Sequence, residues 1–328
     1  MMKNKKMTII LSSILALTSS FAMTQSQAAA GLQTIAADKY ATYAKTKNPI
    51  VMVPGMFGFT RLGTSAFGMD YFYQVLPDLA RNGATAFTAQ VSPLESTAIR
   101  GEQLLTQVEE VLAITGKSKV NLIGHSHGGP TALYIESVKP QYVASLTGVA
   151  GTFKGSKVAD DLLSTKASST LVGVFGDMIL APIMTWAEGN PSLPINMERS
   201  LKSISVAGST QFNLEHPTAA IPSNCSSNGL SSNNGTYYYS WAGASPTTNI
   251  FDTIDTAIGV LAPLSYGNRN NDGLVTPCSS HFGKVIRDNY DLTHLDEINL
   301  ILGMRGIFSP DPVALFRQHA NRLKLQGL

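Results

Sequence analysis

A strand that runs into a Gly-x-Ser-x-Gly turn and out into a helix restricts this chain more than any other part of it. Residues 120–129 read Val-Asn-Leu-Ile-Gly-His-Ser-His-Gly-Gly, and Pro130-Thr131-Ala132-Leu133-Tyr134-Ile135 continue as a helix pattern. In that context the motif predicts a sharp turn that lifts Ser126 off the end of a sheet. The flanking Gly124 and Gly128 leave room where Cβ atoms would clash, and the helix that follows points its free N–H groups at the serine. Pro130 falls in the first turn, where a missing N–H is harmless. A serine hydroxyl is a weak nucleophile until a base takes its proton and donors await the oxyanion. The turn therefore predicts partner groups elsewhere in the chain.

The amino terminus reads as a removable segment. Met1 to Lys6 holds three lysines, Met7 to Met23 is apolar, and Ser26-Gln27-Ala28-Ala29-Ala30 supplies small residues for cleavage. This is the layout of a secretory signal peptide over residues 1–28, with cleavage as late as residue 30. Export through the periplasm to the outside is expected. Removing its three lysines from 24 basic residues leaves 21 against 22 acids, a formal charge of −1. No basic stripe remains for nucleic acid. In an oxidising compartment the two cysteines, Cys225 and Cys278, imply one disulfide. No clustered His/Cys pattern suggests zinc.

Short apolar runs alternate with helical patterns. Pro49–Val53, Gly83–Ala89, Val120–Ile123 and Val143–Val149 read as strands, with helices around Tyr71–Arg81, over Ile99–Thr115 and after Ser126. The Ile99–Thr115 helix carries Leu104, Leu105, Val108, Val111 and Leu112 on one stripe. This alternation predicts an α/β fold, a mostly parallel central sheet with helices on both faces. Residues 29–328 are expected to form a single such domain. The rhythm breaks after about residue 155. A strongly apolar stretch at about 169–192, interrupted by Gly173, Gly176, Asp177 and Pro182, is either a buried core helix or a mobile helical lid. Residues 222–248, rich in Ser, Asn and Gly, read as a surface insertion with a hairpin at Asn233-Asn234-Gly235. Pro312–Leu325 reads as a last helix with a basic end.

In a sheet of this kind the acid and base follow the serine in the order serine, acid, histidine. Four distal histidines are candidates: His216, His281, His294 and His319. His319 lies inside a helix pattern and His216 in an irregular stretch before Pro217. His281 is harder to set aside. His294 is best placed, because Thr293 can cap a helix over Leu295–Leu302 with Asp296 at its third position. The acid should follow a late strand, and Asn271-Asp272-Gly273-Leu274-Val275 fits, although Asp-Gly is also a plain turn signal; Asp252 and Asp255 are rivals.

Three stretches together carry a family likeness. They are Ile99-Arg100-Gly101-Glu102-Gln103-Leu104-Leu105, Lys119 to Gly129, and Asn271 to Leu302. The last runs through Cys278-Ser279-Ser280-His281, Val285-Ile286-Arg287-Asp288-Asn289-Tyr290 and His294-Leu295-Asp296-Glu297. From about residue 49 to the end the chain resembles the secreted, foldase-dependent true lipases of the Pseudomonas and Burkholderia type, lipase family I of the α/β-hydrolase superfamily. The resemblance implies Ser126 as nucleophile, Asp272 as acid and His294 as base. It implies an oxyanion hole from the backbone N–H groups of Met56 and His127, with Arg100 bracing the oxyanion loop. It implies one structural Ca2+ held by the carboxylates of Asp252 and Asp296 and the carbonyls of Leu300 and Met304; such all-oxygen ligation suits a hard cation. A steric foldase is the implied protein partner, and acylglycerol esters at an oil–water interface are the implied substrate.

The chain departs from the family pattern twice. Pro54-Gly55 stands where His-Gly is usual, and Ala150-Gly151-Thr152-Phe153 where Gly-Ala-Pro-His is usual. Neither change touches the serine, acid or histidine, but both border the reacting centre. Two rival functions follow from the same residues. A short-chain carboxylesterase or polyester depolymerase keeps the triad and changes the substrate. A non-catalytic, lipid-binding secreted protein keeps only the scaffold.

Overall fold

The computed structural model describes residues 31–63, 68–164, 193–226 and 228–328. The expected signal segment and the apolar stretch at about 169–192 lie outside these residues. Along the described chain run β1 (Gln33–Thr34), β2 (Ile50–Val53), β3 (Arg61–Gly63), β4 (Gly68–Asp70), α1 (Val75–Arg81), β5 (Ala86–Thr88), α2 (Thr97–Thr115), β6 (Val120–His125), α3 (Gly128–Val138), β7 (Val143–Val149), α4 (Lys157–Leu163), α5 (Met197–Ile204), α6 (Val206–Glu215), β8 (Ser232–Asn233), β9 (Thr236–Gly243), α7 (Thr253–Tyr266), α8 (Pro277–Ser280), β10 (Lys284–Tyr290) and α9 (Pro312–Leu325). The main sheet has the order β1-β5-β2-β6-β7-β9-β10, with β8 attached to β9. Pairing is parallel from β5 to β10, while β1 and β8 are antiparallel edges. β3 and β4 form a separate antiparallel pair.

The pleat sorts the core into two layers. Val51 and Val53 of β2, with Val120 and Leu122 of β6, pack under Leu104, Val108 and Val111 of α2 and Leu133 of α3. Ile50 and Met52, with Ile123, face the other way onto Leu76 and Leu79 of α1 and Phe316 of α9. β6 and β7 are buried along their whole length, as central parallel strands covered on both faces must be.

Several boundaries differ from expectation. The helix expected from Tyr71 starts at Val75, because Gln74 before it takes a left-handed φ of 62°. The expected strand over 83–89 narrows to Ala86–Thr88. The stretch 222–248 is not all surface insertion. Asn234 and Gly235, both left-handed, do form the turn between β8 and β9. But β9 then enters the sheet between β7 and β10, with Tyr238, Tyr239 and Trp241 buried. The helix expected over 295–302 is a short 3-10 turn, Asp296–Ile298, stopped by left-handed Asn299 and Leu302. Its predicted capping box is nevertheless formed. Thr293 Oγ1 accepts from Asp296 N–H at 3.2 Å, and Thr293 N–H donates to Asp296 Oδ2 at 3.2 Å.

Candidate active site

Ser126 follows β6 directly, at the carboxyl end of the sheet, with φ at 55°. A non-glycine residue there carries strain of order 1 kcal/mol. The surroundings impose it. Ser126 N–H donates to Val149 O at 2.9 Å. A Cβ on Gly124 would lie 2.2 Å from Gly128 O, and a Cβ on Gly128 would lie 2.2 Å from Val53 O. The two motif glycines are thus fixed by close approach of backbone to backbone. The Ser126 hydroxyl makes no hydrogen bond among the described residues, and it opens, with His294, into one cavity of about 220 Å³. The wall there is mostly apolar, with Phe57, Met69, Val158, Leu162, Leu274 and Ile301 among its side chains.

Asp272 and His294 meet across 22 residues of sequence. His294 Nδ1 lies 2.7 Å from Asp272 Oδ2, and His294 N–H donates to Asp272 O at 2.8 Å. The other carboxylate oxygen, Oδ1, accepts from Leu274 N–H at 2.9 Å and Val275 N–H at 2.7 Å. Both side chains are buried. A carboxylate held by two backbone donors cannot swing away, so it fixes the imidazole tautomer with Nδ1–H toward Asp272 and leaves Nε2 as the free base. Asp272 does not follow a strand directly, as its sequence context suggested. It sits in the loop between α7 and α8, where Asp-Gly makes a side-chain-to-backbone turn.

The loop after β2 carries Pro54 to Gly58. Arg100, wholly buried in α2, donates from Nη2 to Pro54 O and to Gly55 O at 3.1 Å, from Nη1 to Ser92 O, and from Nε to Thr131 Oγ1 at 3.2 Å. Thr131 Oγ1 donates in turn to His127 O at 2.8 Å. No carboxylate pairs with this guanidinium among the described residues. Burial pulls Arg100 down to about 10, opposed by the neighbouring Tyr71. Arg100 therefore grips both the Gly55 carbonyl and, through Thr131, the His127 carbonyl. The N–H groups of Met56 and His127 donate to no acceptor among the described residues. His127 hangs its ring on Thr97 Oγ1 through Nε2 at 2.8 Å, and burial holds it well below the usual histidine range.

The other histidines are occupied elsewhere. His281 Nε2 lies 2.9 Å from Asp288 Oδ2, His216 Nδ1 lies 2.8 Å from Ser137 Oγ, and His319 Nε2 lies 2.8 Å from Thr147 Oγ1. At the family's Pro-His position, Thr152 lines the cavity and Phe153 stacks on Phe282 at 4.4 Å.

Asp255 lies near both Asp252 at the start of α7 and Asp296 in the His294 turn. Asp252 caps α7, accepting from Ile254 N–H at 2.9 Å. Thr248 Oγ1 lies 2.6 Å from Asp296 Oδ2 and 3.1 Å from Asp255 Oδ2. Burial raises Asp252, and burial pushes Asp296 up to about 6 with Asp255 adding to it. No basic side chain pairs with any of the three among the described residues. No cluster of three metal-binding side chains occurs among the described residues, so a cation here would need backbone carbonyls. Leu300 is buried in the adjacent turn, whereas Met304 is largely exposed.

Three buried residues at the centre escaped the sequence reading: Tyr71, His125 and Glu297. Glu297 Oε1 accepts from Gly243 N–H at 2.6 Å, while its Oε2 has no donor. Burial, then the charge of Asp272, pushes this carboxyl well above the usual range.

A family model for the alpha/beta hydrolase fold matches residues 48–171. A triacylglycerol lipase of Vibrio cholerae is 47% identical over 289 residues, 87% of this chain and 90% of that protein. Triacylglycerol lipases of Burkholderia plantarii and Pseudomonas fragi are 37% and 35% identical, covering 92% and 86% of this chain and 91% and 98% of theirs. Among solved structures, Staphylococcus hyicus lipase superposes with a TM-score of 0.58 at 16% identity, over 88% of this chain and 98% of that one. A metagenomic carboxyl esterase superposes at 0.59 and 18% identity, over 89% and 78%. At such low identity the structural likeness speaks for the fold alone.

Proposed function

This chain belongs to the bacterial triacylglycerol lipases of the α/β-hydrolase fold, and we propose that it hydrolyses acylglycerol esters at Ser126 by way of an acyl-enzyme. The observation that carries this is the opening of Ser126 and of the Asp272-oriented His294 into one mostly apolar cavity. His294 Nε2 takes the Ser126 proton as Oγ attacks the ester carbonyl. Asp272 keeps the ring in place and stabilises its charged form. The free N–H groups of Met56 and His127 receive the oxyanion, where fixed donors in a dry site act most strongly. His294 then passes the proton to the leaving alcohol, and water repeats the cycle on the acyl group. An organophosphonate that labels Ser126, together with hydrolysis of a triacylglycerol series by the purified protein, tests the reading. Failure to label, or hydrolysis confined to soluble short-chain esters, would refute the mechanism or the lipid substrate respectively.

Three further elements belong to the same proposal. The carboxylates of Asp252 and Asp296, both raised by burial, both near Asp255 and both without a basic partner, suit a hard divalent cation, which the carbonyls of Leu300 and Met304 would help to hold. Bound there, Ca2+ would neutralise the charge of these carboxylates beside the His294 turn. Export rests on the amino-terminal 28 residues, and no helix among the described residues is long and apolar enough to cross a membrane. A steric foldase suits a sheet rich in non-local pairings, which folds slowly. Co-expression with a foldase should raise the fraction of phosphonate-titratable sites and leave turnover per site unchanged. Equal fractions would remove that partner.

A further inference from the structure

One buried line of hydrogen bonds joins the two loops that face each other across Ser126. Gly55 N–H donates to Tyr71 Oη at 3.0 Å, Tyr71 Oη lies 2.7 Å from His125 Nδ1, and His125 Nε2 lies 2.9 Å from His294 O. Donor directions follow without choice. A carbonyl oxygen only accepts, so His125 Nε2 carries hydrogen. Burial, and the adjacent His294, hold His125 well below the usual histidine range, so its Nδ1 is a bare acceptor. Tyr71 must then donate to Nδ1 and use an oxygen lone pair for Gly55. Tyr71 is itself held by edge-on contacts with Phe59 and Phe72, at 5.6 and 5.1 Å between centroids. Next to it, Asp70 is pinned by Arg61 at 2.7 Å.

Each end of the line is a backbone group of a reacting residue or its neighbour. At one end, Tyr71 holds the Gly55 N–H while Arg100 holds the Gly55 carbonyl. The trans peptide then points the Met56 N–H away from Arg100, so its aim depends on both grips. At the other end, His125 holds the His294 carbonyl while Asp272 O takes the His294 N–H. His125 precedes Ser126 in the chain, so the nucleophile lies between the two loops that its own neighbour joins.

We propose that Tyr71 and His125 are positioning residues that keep the Met56 N–H and the His294 ring in register across Ser126, so that breaking either hydrogen bond weakens transition-state binding more than substrate binding. This rests on the catalytic reading of Ser126 above. A merely structural pair would lower stability and the fraction of folded enzyme; a positioning pair lowers turnover per active site.

The test uses the full processed chain with its disulfide, and a soluble short-chain p-nitrophenyl ester, with active sites counted by an organophosphonate. For Tyr71→Phe, kcat per titrated site should fall about 10- to 100-fold with KM within about twofold. Affinity for an alkylboronic acid, which forms a tetrahedral adduct on Ser126, should fall in parallel. His125→Gln can still donate to the His294 carbonyl, and should keep more activity per site than His125→Leu. If Tyr71→Phe does not fold, the His125 pair decides alone. A Tyr71→Phe enzyme with kcat per site within about twofold of the parent overturns the proposal. So do equal losses in His125→Gln and His125→Leu, or unchanged boronate affinity. A parent protein inert to the phosphonate would instead sink the catalytic reading itself.

Discussion

At Ser126 the backbone is strained and the neighbours are crowded, and the hydroxyl, with no hydrogen bond among the described residues, opens into the cavity that His294 also lines. Ser126→Ala or His294→Ala should lower kcat by about 10^4-fold or more at unchanged fold, since triad members act as a unit. Circular dichroism and turnover per mole of folded protein check this, and near-normal turnover in His294→Ala would return His281 to consideration. Arg100 offers a second case. Its planar fork reaches four acceptors, and a lysine reaches one or two. Arg100→Lys should therefore keep the positive charge yet lower kcat on the order of 10- to 100-fold, by freeing the Gly55 carbonyl. Full activity in that variant would mean the loop is held without it. Ser126, Asp272 and His294 were legible in the sequence because a motif fixes the first and chain order narrows the others. Tyr71, His125 and Glu297 were not. The His125–His294 bond spans 169 residues, and no local pattern marks a tyrosine for an acceptor that far away.

Among the elements, the carboxyl-terminal loops depend most on cross-links. The Cys225–Cys278 disulfide closes a span of 53 residues that includes β8, β9 and α7, and it anchors α8 just after the Asp272 turn. The chain-entropy model gives such a bridge about 4 kcal/mol. Cys225→Ser with Cys278→Ser should lower the midpoint of denaturant unfolding accordingly, and an unchanged midpoint would mean the loops are fixed by packing alone. The proposed cation acts on the same region. Excess chelator should lower Tm by a few degrees and Ca2+ should restore it, because a ligand of the native state alone stabilises that state. In Asp296→Asn the chelator should shift Tm much less. If chelator leaves the parent's Tm unmoved, the site is not occupied. The sequence placed Thr293 and Asp296 in a capping box correctly but made the turn too long a helix. Left-handed Asn299 and Leu302 end it, and a leucine carries no signal for that conformation. β9 was hidden for a different reason: its Tyr-Tyr-Tyr-Ser-Trp run lies within a Ser/Asn/Gly-rich stretch, and only pairing with β7 and β10 makes it a strand.

Across the whole molecule, five of the six histidines are buried, and burial disfavours the charged form most clearly in three of them. His125, His127 and His319 are all pushed well below 6.5, chiefly by burial. A folded value below the unfolded one means the unfolded chain binds the proton first. Stability from these groups is therefore complete above pH 6.5 and is lost as pH falls below it. Each unbound proton contributes a slope of about 1.4 kcal/mol per pH unit, so three give up to about 4. Urea unfolding between pH 7 and pH 5 should show this decline, and His319→Gln should flatten it by about one proton. A flat profile would mean these histidines do protonate in the folded state. The sequence by itself determined the alternation of strands and helices, the elbow at Ser126 and the residues that answer it. Those features are written in periodicity, in glycines at fixed spacing and in chain order, all of which act locally. Only the tertiary structure decided that β9 is an interior strand between β7 and β10, and that Asp272 reaches His294 from a loop after a helix. It also decided that one hydrogen-bonded line ties Gly55 to His294, and that the buried Glu297 carboxyl lies close enough to feel the charge of Asp272. These depend on which groups are excluded from water together, and burial is a property of the assembled fold that no segment carries alone.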